Sequence, residues 1–458
     1  MHTSPLDGAV GTPASQRDRA ASASGTAFDP AQLRSATLAS SVGSALEYYD
    51  FYIFGLATAL VFAPLFFQPF GDAKVIASFA TFGIAYVARP LGGLLFGYVG
   101  DRWGRKVVLL TTILLMGSAS FLIGLLPTYR EIGALAPILL VALRILQGLG
   151  AGAEQAGATT LISEVAPAPR RGFFAALPFV GIQLGTLLGA GTFALLGLAQ
   201  PQLVQDWLWR VPFLASFILI AVALVIRLKL KETPVFQELE KHKEVAKNPV
   251  GAVWRTSRGA VLKGIGIRMA ENGNSSIYSA VTVSFLGTIA FFKDDKTLGP
   301  TSLLVAAGVA AVGVVFFGWL SDRVGRVAVY RYGALFQAVI AIPAFYLLTL
   351  GQPWLVLLVI AIGTGIGVQS MLGPQCALLP EMFGSTHRFT GVALSREISA
   401  MIASGLVPVL IAALLEATHN SWLVLAGFSL VLSLITFATT FAVRETKGRD
   451  LTLLEDGA

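Results

Sequence analysis

Charge is scarce in this chain of 458 residues. Asp, Glu, Lys and Arg together make up 13%, against roughly 25% in an ordinary soluble domain. So few charges cannot cover a soluble surface, and a set of soluble domains is excluded. The single Cys376 rules out an intrachain disulfide framework and a cysteine-based zinc site. Only four His are present, and no HExxH or CxxC pattern occurs. There is no GxxxxGK[ST] phosphate loop, so ATP-driven work has no visible engine. A net charge of +7 hints at nucleic acid, but the basic residues sit in short gaps rather than on one face.

What is present is apolar. Hydrophobic residues are 55% of the chain and mean hydropathy is +0.72. A membrane-crossing helix needs about 20 mostly apolar residues. Twelve segments meet that need, near 37–67, 75–100, 106–126, 133–160, 172–199, 207–228, 259–292, 300–320, 328–350, 353–379, 389–416 and 421–443. Their continuous runs do not alternate as the short strands of a barrel would. The expected fold is an all-α polytopic membrane protein.

Lys and Arg orient it. With the N-terminus inside, 23 basic residues fall in cytoplasmic tails and loops and 5 on the opposite side. Both termini are therefore expected in the cytoplasm. Residues 1–35 are rich in Ala, Ser, Thr, Gly and Pro and read as a disordered tail rather than a signal peptide. Residues 36–228 form a first six-helix bundle and 229–258 a basic central cytoplasmic loop. Residues 259–443 form a second bundle and 444–458 a cytoplasmic tail.

The two bundles repeat each other. Gly97, Asp101, Arg102, Gly104 and Arg105 follow the second span; Gly318, Asp322, Arg323, Gly325 and Arg326 follow the eighth, offset by 221. Glu164 with Arg171 after span 4 matches Glu381 with Arg388 after span 10, offset by 217. Glu232-Thr233 matches Glu445-Thr446. Same order and same face imply two halves related by an axis along the membrane normal.

The doubled GxxxDRxGR element, with Arg144-Ile-Leu-Gln147-Gly148-Leu-Gly150 in span 4, resembles the major facilitator superfamily. Leu46-Glu47-Tyr48-Tyr49-Asp50-Phe51, Ala88-Arg89-Pro90-Leu91-Gly92-Gly93, Trp209-Arg210-Val-Pro212-Phe213 and Glu381-Met-Phe are similar to its metabolite:proton symporter branch. Arg268-Met-Ala-Glu271 is most like the shikimate-transporter group. The resemblance implies two pseudo-symmetric bundles working by alternating access. It also implies that the repeated Gly, Asp and Arg clusters, with Glu164, Arg171, Glu381 and Arg388, latch the halves together in the outward-facing state.

Ionisable groups inside spans are costly, and so are functional candidates. Glu47, Asp50 and Glu154 are candidates for proton coupling, Asp50 foremost. Arg89, Arg144, Gln147, Arg268, Glu271, Asn272 and Ser275 are candidates for substrate binding, with Tyr49 beside Asp50. On a 100° wheel Arg268, Glu271, Asn272, Ser275, Ser279 and Thr282 form one polar stripe, which should line a cavity. Arg396 and Glu397 read as a possible gate. Tyr48 and Tyr52 pair at i,i+4, most simply as core packing. The glycine ridges Gly148/Gly152 and Gly181/Gly185/Gly189 read as helix contacts.

The expected activity is proton-coupled import of a small organic acid, shikimate-like or another carboxylate. A dicarboxylate, or a zwitterion such as betaine or proline, is the alternative. An intramembrane enzyme or a transporter-like sensor is remoter: no His lies at mid-membrane and no large soluble output domain is visible. No cofactor or metal is called for, and the chain is not read as an enzyme. The expected partners are a small anionic metabolite, protons and the lipid of the plasma (inner) membrane, without nucleic acid or ATP.

Overall fold

A computed structural model describes residues 30–103, 105–152, 154–228, 257–289, 291–292, 294–384, 388–451 and 456–457. Inside a bilayer every backbone polar group needs an internal partner, and helices alone supply that without closing a barrel. Among the described residues eight helices are long and apolar enough to cross a membrane, and three shorter apolar helices join them. One more helical run starts at Arg258 and continues to Leu286. It holds too many polar groups to pass on hydropathy, but Arg268, Glu271, Asn272 and Asn274 are all buried. The helices follow the expected order of twelve.

In chain order they are α1 (Pro30–Ala57, carried on to Phe66), α2 (Lys74–Trp103), α3 (Arg105–Leu125), α4 (Leu135–Ala151, resumed as Glu154–Val165), α5 (Ala168–Gly197) and α6 (Val211–Leu228). The second half continues as α7 (Arg258–Ser276, carried on to Leu286), α8 (Leu298–Val324), α9 (Arg326–Leu348), α10 (Pro353–Met382), α11 (Arg388–Ala417) and α12 (Trp422–Thr440). α1 opens at Pro30, inside the segment expected to be a tail. Proline suits a first helical position, where its missing N–H costs nothing. Of the expected central loop, all but its last two residues, Ser257 and Arg258, lies outside the described residues.

The glycine ridges let backbones touch. A Cβ built at Gly181 of α5 would lie 2.0 Å from the Ser41 carbonyl oxygen of α1, and one at Gly152 of α4 would lie 2.0 Å from the Arg89 carbonyl oxygen of α2. No side chain fits either place. The halves meet on both sides of the centre. At the end near residue 322, Gly172 of α5 packs on Gly318 of α8; toward the other end, Gly83 of α2 packs on Gly405 of α11.

Among the described residues four helices carry a π turn: Thr58–Phe62 in α1, Ile277–Val281 in α7, Gly363–Val368 in α10 and Met401–Leu406 in α11. Such turns insert a residue and rotate the remainder of the helix about its axis. This explains one departure from the helical wheel. Thr282 leaves the polar stripe and donates to the Ile277 carbonyl at 2.6 Å. Tyr278, inside the π turn, stacks on Phe345 at 5.0 Å.

Candidate functional site

The polar residues of both halves converge on one central cavity, about 710 Å³ of space counted out to its mouth. α7 supplies Arg268, Glu271, Asn272, Ser275 and Ser279 from its stripe. Arg89 of α2 and Gln155 of α4 face them, with Arg396, Glu397 and Ser404 of α11. Tyr48, Phe51 and Tyr52 of α1 and Phe82 and Tyr86 of α2 make an aromatic wall. A second space of about 450 Å³ adjoins it and shares Tyr48, Tyr52, Glu271, Ser275 and Leu303.

Two ion clusters organise the walls. Arg89 donates from Nε to Glu397 Oε2 at 2.6 Å, and its Nη2 lies 3.0 Å from Glu47 Oε1. One guanidinium thus serves two carboxylates, one from each half. Neither Glu47 oxygen accepts a well-aligned hydrogen bond among the described residues. Arg268 reaches Glu271 at 3.3 Å, Asn272 Oδ1 at 3.0 Å and Ser399 Oγ at 3.1 Å, and donates to Gln375 Oε1. Gln375 returns a hydrogen bond to Glu271 at 3.1 Å and another to Tyr330 at 3.1 Å. Arg268 and Glu271 therefore form a locally satisfied pair. Arg396 donates to Gln155 and lies 3.5 Å from Gln375 Oε1.

Several candidates lie elsewhere. Tyr49, expected at the substrate, is one 100° step from Tyr48 on α1 and turns to the other side, donating to the Pro212 carbonyl at 2.7 Å. Tyr48 and Tyr52, read as core packing, line the cavity with ring centroids 6.4 Å apart. Arg144 and Gln147 sit behind the aromatic wall. The Arg144 guanidinium lies 3.9 Å from the Phe54 ring centre and 4.6 Å from that of Phe51, and it donates to Gln147 Oε1 at 2.9 Å. Gln147 in turn donates to Ser120, which adjoins Asp50. Asp50 accepts from Ser216 of α6 at 2.9 Å and does not line the cavity. Glu154 is buried beside Gln155 without lining it. Arg396 and Glu397, expected at a gate, belong to the cavity itself.

The end near residue 322 is built from the second copy of the repeat. Asp322 of α8 accepts the backbone N–H groups of Gly172 and Phe173, both at 2.8 Å, at the start of a helical stretch in the other half. A carboxylate there meets the positive end of the helix dipole. Arg326 pairs with Asp322 at 2.6 Å and with Glu381 at 3.3 Å. Arg171 crosses from the first half to Glu381 at 2.9 Å. The Arg323 guanidinium lies 3.9 Å from the Trp319 ring centre, and its carbonyl accepts from Lys447 at 2.7 Å. Gly325 holds φ 122°, the turn between α8 and α9, and a Cβ there would meet Glu445. Arg388 donates to the Pro380 carbonyl at 3.1 Å. Of the first copy, Gly104 lies outside the described residues. The surroundings of Gly97 and the side chains of Asp101, Arg102, Arg105 and Glu164 lie outside them too.

Sequence reasoning missed a C-terminal strap at this end. Glu445 accepts from the N–H groups of Arg326 and Val327 at 2.8 and 3.0 Å. Thr446 donates to Glu381 at 2.8 Å. Arg171 donates to the Arg449 carbonyl at 2.9 Å, Arg388 to that of Leu451, and Gly457 N–H to the Met382 carbonyl at 2.9 Å. Its signal was the repeated Glu-Thr pair. Gln155 and Gln375 were also missed; an amide in an apolar span was their signal.

Residues 36–261 and 290–457 match the family model described as sugar (and other) transporter. The chain is 33% identical over 425 residues to the shikimate transporter of Escherichia coli (strain K12), covering 90% of this chain and 95% of that one. It is 35% identical over 434 residues to the inner membrane metabolite transport protein YhjE of the same strain, covering 90% and 96%. The proline/betaine transporter of that strain is 32% identical over 449 residues, covering 93% and 86%. Among solved structures, that of a D-xylose-proton symporter superposes with a TM-score of 0.69 at 19% identity, covering 91% and 99%. A second, described as a major facilitator superfamily proton:xylose symporter, gives 0.67 at 19% identity over 92% and 98%.

Proposed function

The chain belongs to the sugar (and other) transporter family, and on that premise we propose that it is a proton-coupled symporter importing a small organic acid by alternating access. It is a transporter, not an enzyme. The observation that carries the organic-acid reading is the convergence of Arg89, Arg268 and Arg396, from both halves, on one cavity. A planar guanidinium can hold a carboxylate in a two-pronged hydrogen bond. Hydroxyls of Ser275, Ser279 and Ser404 suit a hydroxylated body, and the aromatic wall suits a ring. Proton coupling is supported by the proton symporters that share the fold. Shikimate fits this chemistry and is the substrate for which one relative is named. A dicarboxylate or a zwitterion is the second reading; the proline/betaine relative favours the latter.

We assign the coupled proton to the Glu47, Arg89 and Glu397 cluster. Two carboxylates on one guanidinium leave one negative charge in excess, which a proton would cancel. Asp50 and Glu154 are the further carboxylates within reach of the same bundle. Residence in the inner membrane with both termini cytoplasmic rests on the 23-to-5 distribution of basic residues and on the inner-membrane name of one relative. The Asp322, Arg326, Glu381 and Arg171 cluster then closes the cytoplasmic side, with Arg323 and Arg388 at its margin. The first-copy residues Gly97, Asp101, Arg102, Gly104, Arg105 and Glu164 would be its counterpart.

The test is uptake of labelled shikimate into proteoliposomes under an imposed inward proton gradient, with and without a protonophore. Gradient-dependent accumulation blocked by other ring acids is the expected result. Accumulation indifferent to the gradient would sink the proton coupling. Uptake of betaine or proline instead would sink the organic acid.

A further inference from the structure

We propose that the cavity is built for a monoanion, and that Arg396 is the residue that receives its carboxylate. The inference rests on the organic-acid reading and narrows it. Its first support is charge pairing around the cavity. Arg89 has two carboxylate partners, Glu47 and Glu397. Arg268 has Glu271. Arg396 has none among the described residues; its polar partners are the amides of Gln155 and Gln375. It is 3% exposed, it lines the cavity, and its Nε has no hydrogen-bond partner among the described residues. A buried guanidinium with an open N–H is expensive unless a counter-charge arrives. A substrate carboxylate is that counter-charge. A second carboxylate would find both other guanidiniums already neutralised, so a dianion would bury one charge without a partner.

The second support concerns cationic ligands, and it is independent of the first. A betaine-like head group needs open aromatic faces. Here the protein itself has placed guanidiniums on three of the wall's five rings. The Arg89 guanidinium lies 5.2 Å from the Phe51 ring centre and 5.8 Å from that of Tyr86. Arg144 lies 4.6 Å from Phe51 and 5.5 Å from Phe82. A ligand cation entering here would compete with these two guanidiniums for Phe51, Phe82 and Tyr86. The wall offers edges and hydroxyls to a neutral ring and few free faces to a cation.

The experiment measures thermal stabilisation of the purified full-length protein by three groups of ligands. The monocarboxylates are shikimate, quinate and protocatechuate; the multiply charged acids are 2-oxoglutarate and citrate; the zwitterions are betaine and proline. The methyl ester of the best acid is added as its neutral twin. The expected result is stabilisation by monocarboxylates only, with the ester weaker by about tenfold to a hundredfold, the loss of one charge-assisted hydrogen-bonded contact. R396Q should bring the acid down to the level of the ester, and R396K should keep part of the difference. Equal binding of 2-oxoglutarate or betaine, or an acid-to-ester ratio unchanged in R396Q, would overturn the proposal. If R396Q does not fold, the ratios measured on the unaltered protein still decide it. Binding of a dicarboxylate, with gradient-driven uptake, would leave the symporter reading standing and remove this one. Binding of zwitterions alone would remove this inference and the organic-acid reading together, and leave the symporter standing.

Discussion

Arg89 and Glu397 join the two halves of the molecule across the cavity, with Nε 2.6 Å from Oε2. The residues are 308 apart in sequence, and both are buried. Removing one partner of a buried pair strands the other charge, at about 3–5 kcal/mol. R89Q and E397Q are each expected to lower the melting temperature in detergent and to abolish net uptake. The double variant should lose less stability than the two singles added together. Simple additivity would show that the pair does not couple the halves.

Glu47 touches the same guanidinium without lining the cavity. E47Q mimics a permanently protonated carboxyl. It should still exchange labelled substrate across a membrane without a gradient, while losing accumulation driven by protons. Retained accumulation in E47Q would move the proton to Asp50 or Glu154.

Cys376 is the chain's one thiol and is 1% exposed. Its carbonyl accepts from Ser163 of the opposite half at 3.2 Å, so it reports on that interface. D322N weakens the two caps on Gly172 and Phe173. Maleimide labelling of Cys376 in D322N is expected to be at least about tenfold faster, as befits the loss of charge-assisted bonds. A rate equal to that of the unaltered protein would mean that Asp322 does not hold this end shut.

Tyr49 offers a negative control for the site. Y49F removes the hydrogen bond to Pro212 and should cost about 1 kcal/mol of stability. Its apparent affinity for substrate should not change. A raised KM with unchanged stability would return Tyr49 to the binding site.

The close helix crossings can be tested by single methyl groups. G181A places Cβ against a backbone oxygen, which cannot move aside as a side chain can. It is expected to destabilise by about 1–3 kcal/mol or more. G427A, at a position with nothing within 4 Å, should be silent or slightly stabilising. Equal melting of the two variants would refute the packing role.

Much of this architecture is legible in the sequence alone. Hydropathy and the 221-residue repeat point to the helices and their pairing, because lipid demands long apolar runs and duplication leaves an offset. The wheel places Arg268, Glu271, Asn272 and Ser275 together because α7 is regular that far. It fails from Thr282 on, past a π turn that no residue pattern announces. It also cannot say which arginines share a cavity. Arg89 and Arg396 meet only through tertiary packing of α2 against α11, while Arg144 is screened off by Phe51 and Phe54. Tyr48 and Tyr49 are neighbours in sequence, yet only Tyr48 faces the cavity, which depends on the rotation of α1 rather than on composition.

Beyond Glu445 and Thr446, part of the C-terminal strap's hold runs through main-chain atoms. Arg171 grips the carbonyl of Arg449, Arg388 that of Leu451, and Gly457 reaches Met382 by its own N–H. Every amino acid offers a carbonyl there. Substituting Leu451 side chain by side chain, or comparing related sequences column by column, would therefore undervalue this clasp. Insertions and deletions are what it cannot tolerate: one residue more or fewer between Arg449 and Leu451 would shift the register and open it.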